Sequence, residues 1–460
     1  MADAPAAVPP PPRPLTGGVV MSGASRITVA ATGALTTVFV ARLLGPDGAG
    51  GFAIALTLVT LMQTVTTLGV EHGIVYYVSS GRWSPREALG AARRVALAVG
   101  VLGALGCLGA RLALPSAFAG LSVGQTAVTV VALPFALGWF YSSYIGLAVD
   151  RYESFVLPPA VQSACTLGLV IVLASIGGLA GAVIALTASH VLAGATAAWL
   201  ARGLPDRPGD GHRHQLRRAA SFGIKGYAAN ALQFLNFRLD LFILSAAVGA
   251  AAVGQLSVAV AVTTVMWLLP QALSDVLFPR IAALSAVEGR DSEEVRAFVE
   301  AKSLRHAVLV IACGTVVLAG ALVFLVVPIF TEEFRPAVEL GLILLPGVAL
   351  LGVAQILSAT IVGRGKPIYS LYSALIVTPI TVVLYLVLVP ALGAEGAALV
   401  KSGSFALSFA LGVFFYRRLT GSVALSLFVP TRDELRDLRA LAPQIREWAA
   451  GVLRRRAARR

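Results

Sequence analysis

The chain has 460 residues, of which 57% are hydrophobic and only 13% charged, with a formal net charge of +13 and a mean hydropathy of +0.83. So apolar a composition excludes an ordinary soluble domain and describes an integral membrane protein. The three cysteines, Cys107, Cys165 and Cys313, are odd in number and lie far apart in apolar runs, which excludes a complete disulfide framework.

In chain order, residues 1–16 form a Pro- and Ala-rich tail with no apolar h-region, read as a disordered cytoplasmic extension and not as a cleaved signal peptide. A proline-rich ligand is the alternative reading of that tail. At about 20 apolar residues per crossing, spans are expected at 17–43, 49–79, 91–113, 125–149, 157–177 and 179–201, all within an N-terminal lobe of residues 17–202. The charged linker GLPDRPGDGHRHQLRR, residues 203–218, follows. A second series at 219–247, 251–284, 305–328, 336–362, 368–390 and 393–416 fills a C-terminal lobe of residues 219–418. The expected fold class is an all-α polytopic membrane protein of about twelve transmembrane helices. Residues 419–460 contain a capping candidate, Thr431 followed by Glu434, then mixed charge with spaced Leu, Ile and Trp. They read as an amphipathic helix broken near Pro443 with a basic tail suited to anionic headgroups, or as a docking segment for a partner enzyme.

The basic residues crowd into alternate loops: Arg82, Arg86, Arg93 and Arg94; then the linker; then Arg290, Arg296, Lys302 and Arg305; then Arg364 and Lys366; then Arg417 and Arg418. The loops between them hold little beyond Arg42, Arg111 and Arg335. By the positive-inside rule this places both termini in the cytoplasm with an even number of spans. The positive charge is thereby a topology signal, and nucleic acid is not needed as a partner.

Internal repeats organise the two series. Laying the segment from Ala41 over that from Ser245 sets Gly45 over Gly249, Gly50 over Gly254, Thr60 over Thr264, Met62 over Met266 and Glu71 over Asp275. Further on, Gly178 meets Gly393, Gly181 meets Gly396, and Pro134 meets Pro346, in the same order. The lobes are therefore expected to be pseudo-symmetric and inserted in the same sense. The register makes Glu71 and Asp275 matched acids near the cytoplasmic ends of their spans. They are either gating or ion-coupling groups, or interfacial carboxylates satisfied by headgroup water or a neighbour such as Arg280.

ARLLGPDGAGGFAIALTLV, RLDLFIL at 238–244, VGQLSVA at 253–259, LSDVLFPRIAAL at 273–284 and GRGKP at 363–367 together resemble the polysaccharide or oligosaccharide flippases, the Wzx-type members of the multidrug/oligosaccharidyl-lipid/polysaccharide exporter superfamily. Ala49 and Leu256 stand where such families often carry tyrosine. The resemblance implies a V-shaped pair of six-helix bundles opening alternately to either side. The implied cargo is a polyprenyl-pyrophosphate-linked oligosaccharide.

Such a headgroup needs cations and polar groups facing a wet path, although an Arg or Lys at mid-membrane costs about 2.5–3.5 kcal/mol on insertion scales. In the seventh span Lys225, Gln233, Asn236 and Asp240 share one arc of the helix, with Arg238 outside it. Arg26 on the first span and Lys401 on the twelfth head polar faces of their own. The substrate-binding candidates are thus Arg26, Lys225, Gln233, Asn236 and Lys401, and Asp240 joins Glu71 and Asp275 as a gating or ion-coupling candidate. Interfacial anchoring is the alternative for Arg26 and Lys225.

No hydrolase, nucleotide-binding or metal motif is present, and GHRH at 211–214 sits in a charged linker. Neither a cofactor nor a metal is expected. The expectation is a non-enzymatic flippase in the cytoplasmic membrane of a prokaryote. Membrane lipids and glycan polymerase or glycosyltransferase enzymes are its expected partners. A cation-coupled drug exporter of the same superfamily and a polytopic enzyme of glycan assembly are the competing readings.

Overall fold

The computed structural model describes residues 15–67, 69–209, 215–267, 270–271, 273–274, 277, 281, 290–421 and 428–429. Asp275, Arg280, the GHRH stretch, residues 1–14 and the amphipathic segment from Thr431 lie outside the described residues. Among the described residues all regular structure is helical: α1 Leu15–Thr67, α2 Val70–Ser79, α3 Pro85–Ala113, α4 Val123–Ala148, α5 Tyr152–Ala201, α6 Gln215–Ala247, α7 Ala250–Thr263, α8 Arg290–Phe330, α9 Arg335–Gly363 and α10 Ile368–Thr420. Short 3-10 turns occupy Pro115–Phe118, Thr264–Trp267 and Glu332–Phe334.

Local chemistry explains several boundaries. Pro85 opens α3, where its missing N–H costs nothing. Ser122 and Gln125 form a reciprocal capping box at α4. Gly421, in the left-handed region at φ 80°, ends α10 just after Arg417 and Arg418.

Among the described residues eight helices are long and apolar enough to cross a membrane. Three of them, α1, α5 and α10, run through two expected spans each and fold back at Gly45 (φ 65°, ψ −172°), Gly178 (φ 56°, ψ −138°) and Gly393 (φ 61°, ψ −135°). With α6, whose polar stripe lowers its hydropathy, these account for the twelve spans of a polytopic all-α fold in two pseudo-symmetric lobes. One expected span is divided: the run 49–79 is interrupted at Gly69 (φ 73°, ψ 11°), and α2 starts in a new direction at Val70.

The repeat seen in the sequence is realised in the backbone. Gly178 and Gly393 adopt nearly the same positive-φ conformation, which only glycine takes up cheaply. Just beyond each kink a second glycine permits the two arms to close. A Cβ on Gly181 would lie 1.8 Å from the Leu173 carbonyl oxygen, and one on Gly396 would lie 2.3 Å from that of Leu388.

The chain clusters into two compact units, which partition it differently from the repeat. The first comprises Met1–Val258, Val327–Pro336 and Tyr385–Ala397; the second comprises Ala259–Val326, Ala337–Leu384 and Ala398–Arg460. At the basic-loop end of the first unit, Val70, Ile74, Trp83, Leu137, Tyr141, Ile145 and Ala219 share one buried cluster. There Arg151 donates to the Leu200 carbonyl at 3.2 Å and to Glu153 at 3.0 Å, fastening the start of α5 to its own far end. At the basic-loop end of the second unit, the buried Glu300 carboxylate accepts from Arg364 Nε at 2.8 Å, Arg364 Nη2 at 2.7 Å and the Tyr416 hydroxyl at 2.8 Å. One bidentate ion pair thus ties the start of α8 to the ends of α9 and α10.

Candidate functional site

The polar residues of the seventh span are carried by α6. Asn236 and Asp240, one turn apart, are buried at 4% and 0% exposure, whereas Gln233 is exposed. Lys225 falls on α6 within residues 224–230, where only the backbone is described. Asp240 acts electrostatically on Tyr385, a fully buried phenol of the same compact unit on α10. Sequence periodicity did not single out Tyr385, because an aromatic on an apolar span reads as ordinary core. Arg238 stacks its guanidinium 5.7 Å from the Phe234 ring centre, and the Asp240 charge acts on it although the two residues lie only two apart in the chain.

Arg26 is exposed on the early part of α1. Lys401 is different: it lies on α10 of the second unit at 5% exposure, with the Ser404 hydroxyl donating to its carbonyl at 3.0 Å. Close by, the Gly347 N–H donates to Ser402 at 3.1 Å, so α9 and α10 touch backbone to side chain beside the lysine. A cation so deeply placed on a membrane span is costly to keep.

Glu71 opens α2 and is buried, at 2% exposure. Its Oε1 lies 3.9 Å from His72 Nε2, and its Oε2 has no hydrogen-bond partner among the described residues. The position of its sequence counterpart, Asp275, lies outside the described residues. Glu71 sits inside the sequence Gly69-Val70-Glu71-His72-Gly73, which faces Ala219-Ala220-Ser221-Phe222-Gly223 on α6. A Cβ on Gly223 would fall 1.8 Å from the Gly69 carbonyl oxygen, and one on Gly73 would fall 2.2 Å from that of Ala219. Two small-xxx-small motifs therefore cross in backbone contact. This crossing escaped the sequence reading, which attended to the acid and not to the glycines flanking it, although the spacing was visible.

Two other polar groupings were also missed. In the first unit Thr166 donates to the Ser189 hydroxyl at 2.8 Å, Gln162 donates to Thr166 at 3.1 Å, and buried His190 holds Nδ1 2.9 Å from the Leu186 carbonyl. A cleft of about 620 Å³ is lined by Arg42, Gly45, Asp47, Thr331, Glu332 and Glu333, and among the described residues none of the site candidates lines it. Among the described residues no group of His, Cys, Asp and Glu has metal-ligating geometry.

A family model described as "Polysaccharide biosynthesis protein" matches residues 39–339. No curated protein sequence matches the chain significantly. Among solved structures, the chain is similar to "Lipid II flippase MurJ, inward closed conformation", with a TM-score of 0.70 at 12% identity over 89% of each chain. It is also similar to an inward-facing multidrug resistance MATE family transporter of the MOP superfamily, with a TM-score of 0.64 at 17% identity over 85% of this chain and 94% of that one. A MOP superfamily transporter from Pyrococcus furiosus follows, with a TM-score of 0.54 at 15% identity over 87% and 95%. At these identities the structural likeness defines the fold. The chain is a multi-pass membrane protein with the two-lobe fold of those transporters, and it belongs to the polysaccharide biosynthesis protein family.

Proposed function

We propose that the protein is a flippase that carries a polyprenyl-pyrophosphate-linked oligosaccharide across the cytoplasmic membrane of a prokaryote, with both termini and the basic loops in the cytoplasm. The observation that carries this reading is Lys401, a lysine held at 5% exposure on a membrane span in a chain of the polysaccharide biosynthesis protein family. The similarity in fold to a lipid II flippase is consistent with it.

In this reading the lobes of residues 17–202 and 219–418 open alternately to either side, and no covalent step occurs. Lys401, Arg26 and Lys225 meet the pyrophosphate, whose charge could not otherwise leave water. Gln233 and Asn236 serve the neutral polar part of the headgroup. Glu71, Asp240 and Asp275 repel the same anion, so they belong to gates or to ion coupling and not to its seat. The acids Asp47, Glu332 and Glu333 around the cleft at the opposite ends suit release of an anion on the far side. Glycosyltransferases and a polymerase would supply and consume the cargo.

The competing drug exporter draws on one specific observation, the fully buried Asp240 beside Tyr385, an acid suited to a cationic ligand. Deleting the gene in its host separates the two readings. Flippase function predicts accumulation of lipid-linked oligosaccharide on the cytoplasmic leaflet with unchanged sensitivity to cationic drugs. Drug hypersensitivity with normal surface glycan would reverse that choice.

A further inference from the structure

The inner crossing of α2 on α6 is unusual in combining two properties. Its backbones are in direct contact, with Gly223 over the Gly69 carbonyl and Gly73 over that of Ala219. Yet between Gly69 and Gly73 it carries Glu71, whose side chain is 3% exposed. Helices in a membrane gain no hydrophobic energy by leaving lipid for each other, so such a crossing depends on close packing and on hydrogen bonds such as that from Gln215 to the Arg82 carbonyl, 2.8 Å away. Burying a carboxylate beside it works in the opposite direction, because the charge loses water and recovers only part of that loss from His72. A crossing meant to be permanent would not place an acid there. A crossing meant to part gains from one, since opening returns the carboxylate to water.

We infer that the contact of Gly69 and Gly73 with Ala219 and Gly223 is a separable seal on the cytoplasmic side of the transport path, and that its opening exposes Glu71. The inference rests on the alternating-access reading above and assigns that reading one of its gates. The glycines allow closure, and Glu71 keeps the closed form from being too stable. On a different helix pair of the same unit, α1 and α7, a second glycine contact joins Gly50 to Gly254. Both contacts are made in this structure, and alternating access requires them to part at different times.

The test is cysteine accessibility in the full-length protein. Cys107, Cys165 and Cys313 are replaced by serine, Glu71→Cys is introduced as reporter, and inverted membrane vesicles are treated with an impermeant maleimide. The reporter is expected to react slowly. Adding Gly223→Val, whose side chain cannot fit against Gly69, is expected to raise the rate about fivefold or more by shifting the population toward the open seal. Gly223→Ala, measured alongside in case the valine variant fails to insert, is expected to raise it about twofold. Gly90→Val, at a position with no atom within 4 Å of an added Cβ, is expected to leave it unchanged. Unchanged labelling in both Gly223 variants at normal abundance would overturn the seal, as would an equal rise with Gly90→Val. The readout needs no substrate, so raised labelling accompanied by normal glycan transport would retain the separable crossing and refute its place in a flipping cycle.

Discussion

Gly50 and Gly254 meet reciprocally: a Cβ on Gly50 would fall 1.8 Å from the Ala250 carbonyl oxygen, and a Cβ on Gly254 would fall 2.1 Å from the Pro46 carbonyl oxygen. The register that sets Gly50 over Gly254 also sets Pro46 over Ala250, so each repeat supplies the same two atoms to a local two-fold contact. Neither side has room for a side chain. Gly50→Val and Gly254→Val are each expected to lower stability in detergent by about 1–3 kcal/mol, the usual cost of overpacking. Thermal unfolding followed by size-exclusion profile checks this, with Gly138→Val, where an added Cβ meets nothing within 4 Å, expected to stay near the native value.

That contact shows what the sequence could and could not disclose. Twelve spans, the alternating basic loops and the glycine register follow from local composition, and the kinks at Gly178 and Gly393 fall on residues that the repeat register pairs. The break at Gly69 was not foreseen, because a single glycine in an apolar run changes neither hydropathy nor period. The candidate site was legible only as helix faces. Asn236 and Asp240 are buried together, but Gln233 on the same arc is exposed, since an arc defines direction and says nothing of what a neighbouring helix covers. Tyr385 and Glu300 were invisible for the same reason: their meaning lies in partners far along the chain.

The matched kinks carry a second prediction. Gly178→Ala and Gly393→Ala place a Cβ at φ 56° and 61°, at a cost of about 1–3 kcal/mol each. Gly177→Ala, one residue away at ordinary φ and with nothing within 4 Å of its Cβ, should be close to neutral. Comparing the midpoints of thermal aggregation for the three variants distinguishes conformational strain from a general sensitivity of the turn.

Glu300 and Arg364 form the second unit's buried clamp, at 2% and 10% side-chain exposure. Glu300→Gln leaves the guanidinium buried without its counter-charge, and Arg364→Ala strands the carboxylate, so each is expected to cost about 3–5 kcal/mol. Arg364→Lys should rescue little, because one ammonium cannot replace two parallel N–H donors. Tyr416→Phe removes a single hydrogen bond to a charged group and should cost about 1.5–3 kcal/mol. Limited proteolysis and thermal scans in detergent read the order of these effects.

Topology is tested at the linker. With the three native cysteines replaced, Arg207→Cys is expected to resist an impermeant thiol reagent in intact cells and to react once the cells are opened. Labelling in intact cells would place the linker outside and reverse the orientation of every span.

The central claim is that this chain moves a pyrophosphate-linked glycan by holding its headgroup with intramembrane cations. Purified protein in liposomes containing a fluorescent polyprenyl-pyrophosphate oligosaccharide allows the transbilayer rate to be followed by quenching with an impermeant reductant. The account predicts rapid exchange with the native protein, a drop of about tenfold or more for Lys401→Ala, corresponding to about 1.4 kcal/mol or more of lost stabilisation in the crossing state, and a milder drop for Lys401→Arg. It also predicts near-background exchange when Arg26, Lys225 and Lys401 are all alanine. Native rates in that triple variant, reconstituted at equal abundance, would contradict the assignment of the headgroup to these cations, and background rates with the native protein would contradict the flippase itself.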